Sequence, residues 1–356
     1  MKTEIVRIEN NNLAEYDVDL QRAAEIIRSG GLVVFPTETV YGLGGDATNP
    51  ISAEKIYKAK GRPSDNPLII HVASPKDADA YAFTSELYYA LSERFMPGPL
   101  TVILNSRDTV PEKTRGGLST VAVRCPENPI ANRLIELSGV PIAAPSANLS
   151  GSPSPTSAQH VIEDMDGRVD MIIDGGECDF GLESTIVKIE DDATLTLLRP
   201  GKITVTELSE LADVKIADAV TDKLREGERP LSPGMKYRHY APKSPVVLLD
   251  GEVSNAIEYV LALGEKSIAV LSYSEDMDMW ERAIPEAEIY ELGARQDERE
   301  HAHRLFKLLR DADKKNYEKI YAPLPRKEGI GLALYNRLIR AAGHTIINLK
   351  RCDNNG

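Results

Sequence analysis

The sequence predicts two α/β domains, the first on a mixed sheet and the second, smaller one on five parallel strands. Three observations carry this. A chain of 356 residues is too long for one ordinary core. Before about residue 205, short apolar runs and helix-spaced apolar stripes alternate irregularly, with some strands adjacent, which suits a mixed sheet. From residue 246 the alternation becomes regular, strand then helix, as in a doubly wound parallel sheet. The divisions read from this are 1–205, a connector at 206–245, and 246–356.

The elements follow in order. The N-terminal residues alternate like a strand and lack the apolar core of a signal peptide. Leu20, Ala23, Ala24 and Ile27 recur at helical spacing, and Gly30-Gly31 end that helix. Residues 32–35 make a short buried strand that Pro36 stops. A polar, glycine-broken segment follows, Pro-Thr-Glu-Thr-Val-Tyr-Gly-Leu-Gly-Gly-Asp-Ala at 36–47. A helix at 52–60 ends at Gly61 and Pro63, inside a second such segment at 58–68, and a strand follows at 68–72. A helix at 86–95 and a Pro-Gly-Pro break precede strands at 100–104 and 120–124, and a helix at 129–138 comes next. Strands at 142–144 and 171–173 and a hairpin of 186–190 with 194–199, turned at Asp191-Asp192, complete this half.

A short acidic helix at 206–213 leads into the Pro- and Gly-rich connector 225–242. Beyond it the expected strands are 246–250, 268–272, 288–292, 319–323 and 345–349, separated by helices at 253–263, 276–283, 296–314 and 330–342.

Composition narrows the function. Hydrophobic content of 42% with 27% charged residues is that of a globular protein, and no apolar run approaches a membrane span. A net charge of −13 disfavours non-specific nucleic-acid binding by the whole surface. Cys125, Cys178 and Cys352 have no metal-type spacing and form no even set, so a reduced, cytoplasmic protein without a membrane partner or metal site is expected. There is no Walker A loop, Gly-x-Ser-x-Gly elbow, His-Glu-x-x-His or Cys-x-x-Cys. Gly42-x-Gly44-x-x-Ala47 imitates a dinucleotide fingerprint but lies six residues from its strand, with no acidic residue ending a strand about 20 positions later. His301 and His303, two apart on a helix, read as surface residues, and His160 and His344 as structural or exposed.

Several residue groups suit a small polar substrate and a phosphate-bearing one. Thr37, Thr39 and Tyr41 are either turn residues at a strand exit or donors and acceptors at the mouth of a sheet. Lys58, Lys60 and Arg62 are either cations meeting a helix dipole or, with Ser64, a grip on a polyphosphate. On the strand 120–124, period two puts Thr120, Ala122 and Arg124 on one face, fitting a carboxylate ligand, although a solvated strand face reads the same. Residues 143–151, Ala-Ala-Pro-Ser-Ala-Asn-Leu-Ser-Gly, are a flexible loop or an anion-binding one. Tyr237, His239 and Tyr240 in the connector are expected to dock, since exposed aromatics are costly.

Together these motifs closely resemble the YrdC-type family of L-threonylcarbamoyladenylate synthases, over the whole chain and in the long two-domain form. The family's Lys-x-Arg and Ser-x-Asn motifs stand here as Lys60-Gly61-Arg62 and Ser146-Ala147-Asn148. The Pro-Thr-Glu-Thr-Val-Tyr-Gly-Leu and Arg-Pro-x-x-x-Pro-Leu runs and the Ser-Pro-Gly-Met-Lys-Tyr-Arg-His-Tyr-Ala-Pro linker accompany them. The resemblance implies a YrdC-like domain on a twisted mixed sheet and a smaller Rossmann-like domain with a five-stranded parallel sheet. It implies conversion of ATP, L-threonine and bicarbonate to threonylcarbamoyl-AMP, pyrophosphate and water, with Mg²⁺ accompanying the ATP. It puts Thr37, His71, Thr120, Arg124 and Ser184 at L-threonine. Around ATP it puts Lys60, Arg62, Ser64, Ser146, Asn148, Ser154, Arg199 and Tyr237, with Lys60 and Arg62 as the catalytic pair. Tyr237 and its linker would close over the nucleotide as a lid. The product would pass to a tRNA threonylcarbamoyl transferase complex, the first step toward N6-threonylcarbamoyladenosine, with a weak contact to tRNA itself. An RNA-binding module is disfavoured by the charge and by the lack of aromatic–basic interleaving. A carbamoyl transferase of the hydrogenase-maturation kind is disfavoured because that kind's acylphosphatase and zinc-finger segments are absent. The second domain, whose first strand–helix junction Leu249-Asp250-Gly251-Glu252 lacks a glycine-rich phosphate loop, reads as a regulatory or positioning domain.

Overall fold

The first domain runs β1 (Glu4–Arg7), α1 (Asp17–Arg28), β2 (Val33–Phe35), β3 (Gly42–Asp46), α2 (Pro50–Lys60), β4 (Ile69–His71), β5 (Ala82–Phe83), α3 (Glu86–Phe95) and β6 (Leu100–Ser106). It continues with β7 (Thr120–Arg124), α4 (Pro129–Ser138), β8 (Ile142–Ala143), α5 (Ala158–Met165), β9 (Met171–Asp174), β10 (Thr185–Ile189), β11 (Thr194–Arg199), α6 (Val205–Leu208) and β12 (Asp213–Ile216). The second holds β13 (Val246–Asp250), α7 (Val253–Leu263), β14 (Ile268–Tyr273), α8 (Met277–Ala283), β15 (Glu288–Gly293), α9 (Glu298–Asp313), β16 (Lys319–Pro323), α10 (Gly331–Ala341) and β17 (Ile346–Asn348). The structure, a computed structural model, describes residues 2–222 and 240–349. Its two units are Met1–Ser150 with Ser154–Tyr237, and Gly151–Pro153 with Arg238–Gly356.

The first unit is built on a mixed sheet in the order β1-β9-β2-β3-β8-β4-β7-β6-β10-β11-β12, with β5 also pairing β6. Its core includes a cluster where α1 and α4 lay Leu20, Ala24, Ile27, Leu134 and Ile135 against Val33, Phe35, Ile142 and Met171. Helix ends follow local chemistry. The Asn49 side chain accepts from the Ile51 N–H to start α2, and Gly61, at φ 62°, ends it in the left-handed conformation.

Three sequence expectations differ from the structure here. The segment 36–47 is not all connection, because Gly42–Asp46 is a fully buried strand. Its glycines hide the strand pattern but serve close packing: a Cβ on Gly44 would stand 2.7 Å from Phe35 and 2.8 Å from Ile142. The helix expected at 206–213 spans only Val205–Leu208, opened by a Thr204–Glu207 capping box, and Asp213–Ile216 instead pairs with β11. Helix α5 falls beyond a loop where no helix was expected, and Ser157 caps it by accepting from the His160 N–H.

The second unit is an all-parallel sheet in the order β15-β14-β16-β13-β17. Helices α7 and α8 pack together, as do α9 and α10. On one face Val247, Leu249 and Val270 meet Ala256, Ile257, Val260 and Trp280. Tyr240 is buried against the α9–α10 pair, stacked on Phe306 at 5.1 Å with the Arg337 guanidinium 5.7 Å from its ring, and Tyr237 and His239 lie outside the described residues. His301 is buried rather than on the surface, since it shares an apolar face of α9 with Leu305, and its Nε2 lies 2.8 Å from the Ala294 carbonyl.

Candidate active site

Strand register assembles the candidate residues. His71 on β4 lies beside Arg124 on β7, which lies beside Thr101 on β6. Thr101 in turn neighbours Ile186 on β10, and Ile186 neighbours Arg199 on β11. In-register residues on adjacent strands share a face. His71, Arg124, Thr101 and Arg199 therefore stand in one row across five strands. Ser184, two residues before Ile186, joins that row: its Oγ lies 2.8 Å from Thr101 Oγ1 and accepts from Arg199 Nη2 at 3.0 Å.

Arg124 is the centre of the row. Its side chain is 5% exposed, and Nη2 donates to Glu38 Oε1 at 2.6 Å and to Thr39 Oγ1 at 2.9 Å. Glu38 Oε2 also accepts from the Glu127 N–H. The Arg124 Nε donor is buried with no partner among the described residues. Thr37 sits on the same stretch, where its hydroxyl accepts from the Thr39 and Val40 N–H groups, a turn stabilised by its own side chain. Burial, reinforced by the Arg124 charge, brings the His71 pKa down to about 3, so this imidazole is neutral. Burial likewise pushes the Cys178 thiol well up, leaving it an unreactive packing residue.

The Lys-x-Arg and Ser-x-Asn motifs meet. Lys60 Nζ donates to the Asn148 carbonyl at 2.6 Å and to the Ser146 carbonyl. The Ser146 hydroxyl donates to Asn148 Oδ1 at 2.6 Å. Arg62 reaches the Asn66 and Pro67 carbonyls, bracing its own loop. Main-chain bonds fasten the Ser146 loop to β3: Leu43 N–H donates to the Pro145 carbonyl and Ala147 N–H to that of Tyr41. Ser154 is fully buried and hydrogen-bonds Glu183 Oε1.

Not every candidate is gathered in. Thr120 opens β7 beside Asn105, on the same face as Arg124 and roughly 13 Å along the strand from it at about 3.3 Å per residue. Ser64 is exposed in the turn after α2, and Tyr237 lies outside the described residues. Sequence reasoning passed over Glu38, Thr101 and Glu183. The clue to Glu38 was a carboxylate inside an otherwise neutral strand exit, which needs a buried cation to stay charged. Among the described residues no cluster of His, Cys, Asp or Glu could hold a metal ion, and no helix is long and apolar enough to cross a membrane.

Comparison with known proteins places the chain in a family. Residues 25–201 match the Sua5_yciO_yrdC family model, described as telomere recombination, and residues 203–343 match the threonylcarbamoyl-AMP synthase C-terminal domain. The chain is 44% identical to the threonylcarbamoyl-AMP synthase of Pyrococcus abyssi, covering 92% of this chain and 95% of that one. It is 40% identical to the Bacillus subtilis enzyme of the same name, over 95% and 96% of the two chains. A crystal structure of P. abyssi Sua5 complexed with L-threonine superposes with a TM-score of 0.87 at 42% identity, covering 97% of this chain and 99% of that one.

Proposed function

This chain belongs to the threonylcarbamoyl-AMP synthase family, and we propose that its first domain joins L-threonine, bicarbonate and ATP around the row centred on Arg124. The observation that carries the assignment of residues is the buried Arg124 Nε, a charge-bearing donor without a partner among the described residues, beside Thr39 and neutral His71. A carboxylate is the natural partner for that guanidinium, and Glu38 and Thr39 already occupy Nη2, fixing the direction of approach. L-Threonine then lies with its carboxylate on Arg124, its remaining polar atoms toward Thr37 and Ser184, and His71 close by.

The chemistry asks for alignment more than for a protein nucleophile. The threonine amine adds to the carbon of bicarbonate, water leaves, and a carbamate forms. A carbamate oxygen attacks the α-phosphorus of ATP, and the bond to the bridging oxygen breaks to release pyrophosphate. Charge on the phosphoryl group is what the site must stabilise. In this reading Lys60 and Arg62 are the catalytic cations, and Arg199, Ser64, Ser146, Asn148 and Ser154 complete the nucleotide site. Lys60 also holds the Ser146–Asn148 carbonyls, so it shapes the loop as well as its charge field. Mg²⁺ enters as part of the MgATP substrate, neutralising charge on the triphosphate. Because the product is a labile mixed anhydride, we place a tRNA-modifying acyl-acceptor complex directly after it.

The test is pyrophosphate release with each of ATP, L-threonine and bicarbonate omitted in turn, for the parent chain and for Arg124→Ala. Release should require all three, and the variant should lose threonine dependence far more than ATP binding. Equal loss of both would separate Arg124 from the amino acid.

A further inference from the structure

We propose that the second domain carries a ligand site of its own, for a nucleoside without phosphates, in the crevice at the carboxyl ends of β13–β16. A cavity of about 600 Å³ opens there, within the range of small-molecule sites. Its position follows from topology. β13 and β16 are neighbours in the sheet, yet the chain leaves β13 toward β14 on one side and leaves β16 toward β17 on the other. Where connections diverge in this way, the loops part and leave a crevice, the usual ligand position on open parallel sheets.

The charges choose the ligand. Arg295 reaches both Asp276 oxygens at 2.6 Å, and Arg326 donates to Glu298 Oε1, so each arginine is balanced by a carboxylate. What remains among the described residues is acidic: Glu252, at the N-cap of α7, has a side chain that makes no hydrogen bond or ion pair with any described residue. The other helix start on the cavity, that of α9, has Asp297 as its cap and Glu298 and Glu300 in its first turn. Both helix N-termini that would ordinarily receive a phosphate are thus occupied by negative charge. A carboxylate just beyond the first strand is instead suited to a ribose diol, which donates two hydrogen bonds to it.

The rest of the cavity fits the remainder of such a molecule. Leu305, Leu334 and Leu338 supply an apolar wall for a base. The Tyr273 ring is clamped between the Arg295 guanidinium, 4.8 Å away, and the His301 ring, 5.0 Å away. Its hydroxyl makes no hydrogen bond with the described residues and is presented as a rigid polar contact. None of these residues belongs to the row centred on Arg124, so the site stands independently of the catalytic assignment.

Hydrogen–deuterium exchange of the full-length protein tests this, with adenosine, guanosine, uridine, ATP and L-threonine each added at millimolar concentration. At least one nucleoside should slow exchange about threefold or more in peptides covering 249–256 and 292–301, as expected when ligand exceeds twice its Kd. ATP should protect these peptides less. Glu252→Gln, nearly isosteric at an exposed position, should abolish the nucleoside effect while leaving exchange elsewhere in this domain unchanged. The proposal is overturned if no nucleoside protects these peptides, if ATP or L-threonine protects them as well, or if Glu252→Gln retains full protection.

Discussion

Glu38 and Arg124, 86 residues apart in sequence, meet at 2.6 Å with each side chain only 5% exposed. Breaking such a pair leaves one charge buried and uncompensated, which costs about 3–5 kcal/mol. Glu38→Ala should therefore lower the urea midpoint of the first domain sharply and abolish threonine-dependent pyrophosphate release. Glu38→Gln keeps an acceptor for Nη2 and should recover part of the stability. If Glu38→Ala were as stable as the parent, the pair would have no role in holding Arg124.

The neutral His71 makes stability depend on pH in a definite sense. Its folded pKa, about 3, lies below the ordinary value of 6.5, so the unfolded chain takes up the proton first as the pH falls. The contribution is complete above about pH 6.5 and is lost progressively toward pH 3, at about 1.4 kcal/mol per pH unit. Unfolding free energies measured by urea at pH 7 and pH 5 should fall less in His71→Gln than in the parent. Burial also lowers the His301 pKa, giving the same sign in both proteins, so it cancels in the comparison. An unchanged pH slope in the variant would mean that His71 is protonated in the folded state.

Much of this was legible in the sequence, and the gaps have physical causes. The parallel second domain shows itself because its strands are uninterrupted apolar runs, such as 246–249 and 268–271, separated by amphipathic helices. The motifs around Lys60, Arg124 and Ser146 announce polar chemistry at element ends. Strand β3 was hidden because a strand made mostly of glycine carries no alternation to read. Glu38 and Thr101 were hidden because their partners arrive through register between distant strands. Period two puts Thr120 and Arg124 on one face of β7 but says nothing about what lies between them.

Gly44 offers a test of close packing unmixed with backbone strain. A methyl group there would lie 2.7 Å from a Phe35 ring carbon and 2.8 Å from an Ile142 methyl, both in the core beside the site. Overpacking of this kind costs about 1–3 kcal/mol. Gly44→Ala should lower the melting temperature, and Gly44→Ala with Ile142→Val should recover part of the loss, because loss of Cδ1 leaves the side chain room to move its contacted Cγ2 methyl away. A melting temperature equal to the parent's would show that β2, β3 and β8 separate easily.

Lys60 distinguishes two ways a cation can serve a phosphate site. Its ammonium holds the Ser146 and Asn148 carbonyls, and its own carbonyl accepts from the Ser150 N–H, so the loop is tied to the last turn of α2 from both directions. Lys60→Met keeps the length and the burial but removes the charged donor. Losing hydrogen bonds to a charged group costs about 1.5–3 kcal/mol, so opening of the loop should become roughly tenfold or more easier. Hydrogen exchange at Ala147, Leu149 and Ser150 should rise accordingly, and pyrophosphate release should fall with it. If release collapses while exchange in the loop stays at the parent level, Lys60 acts on the phosphates directly and the loop does not depend on it. If exchange rises and release does not change, the cation is a structural strut and the catalytic charge is supplied elsewhere, with Arg62 the first residue to examine.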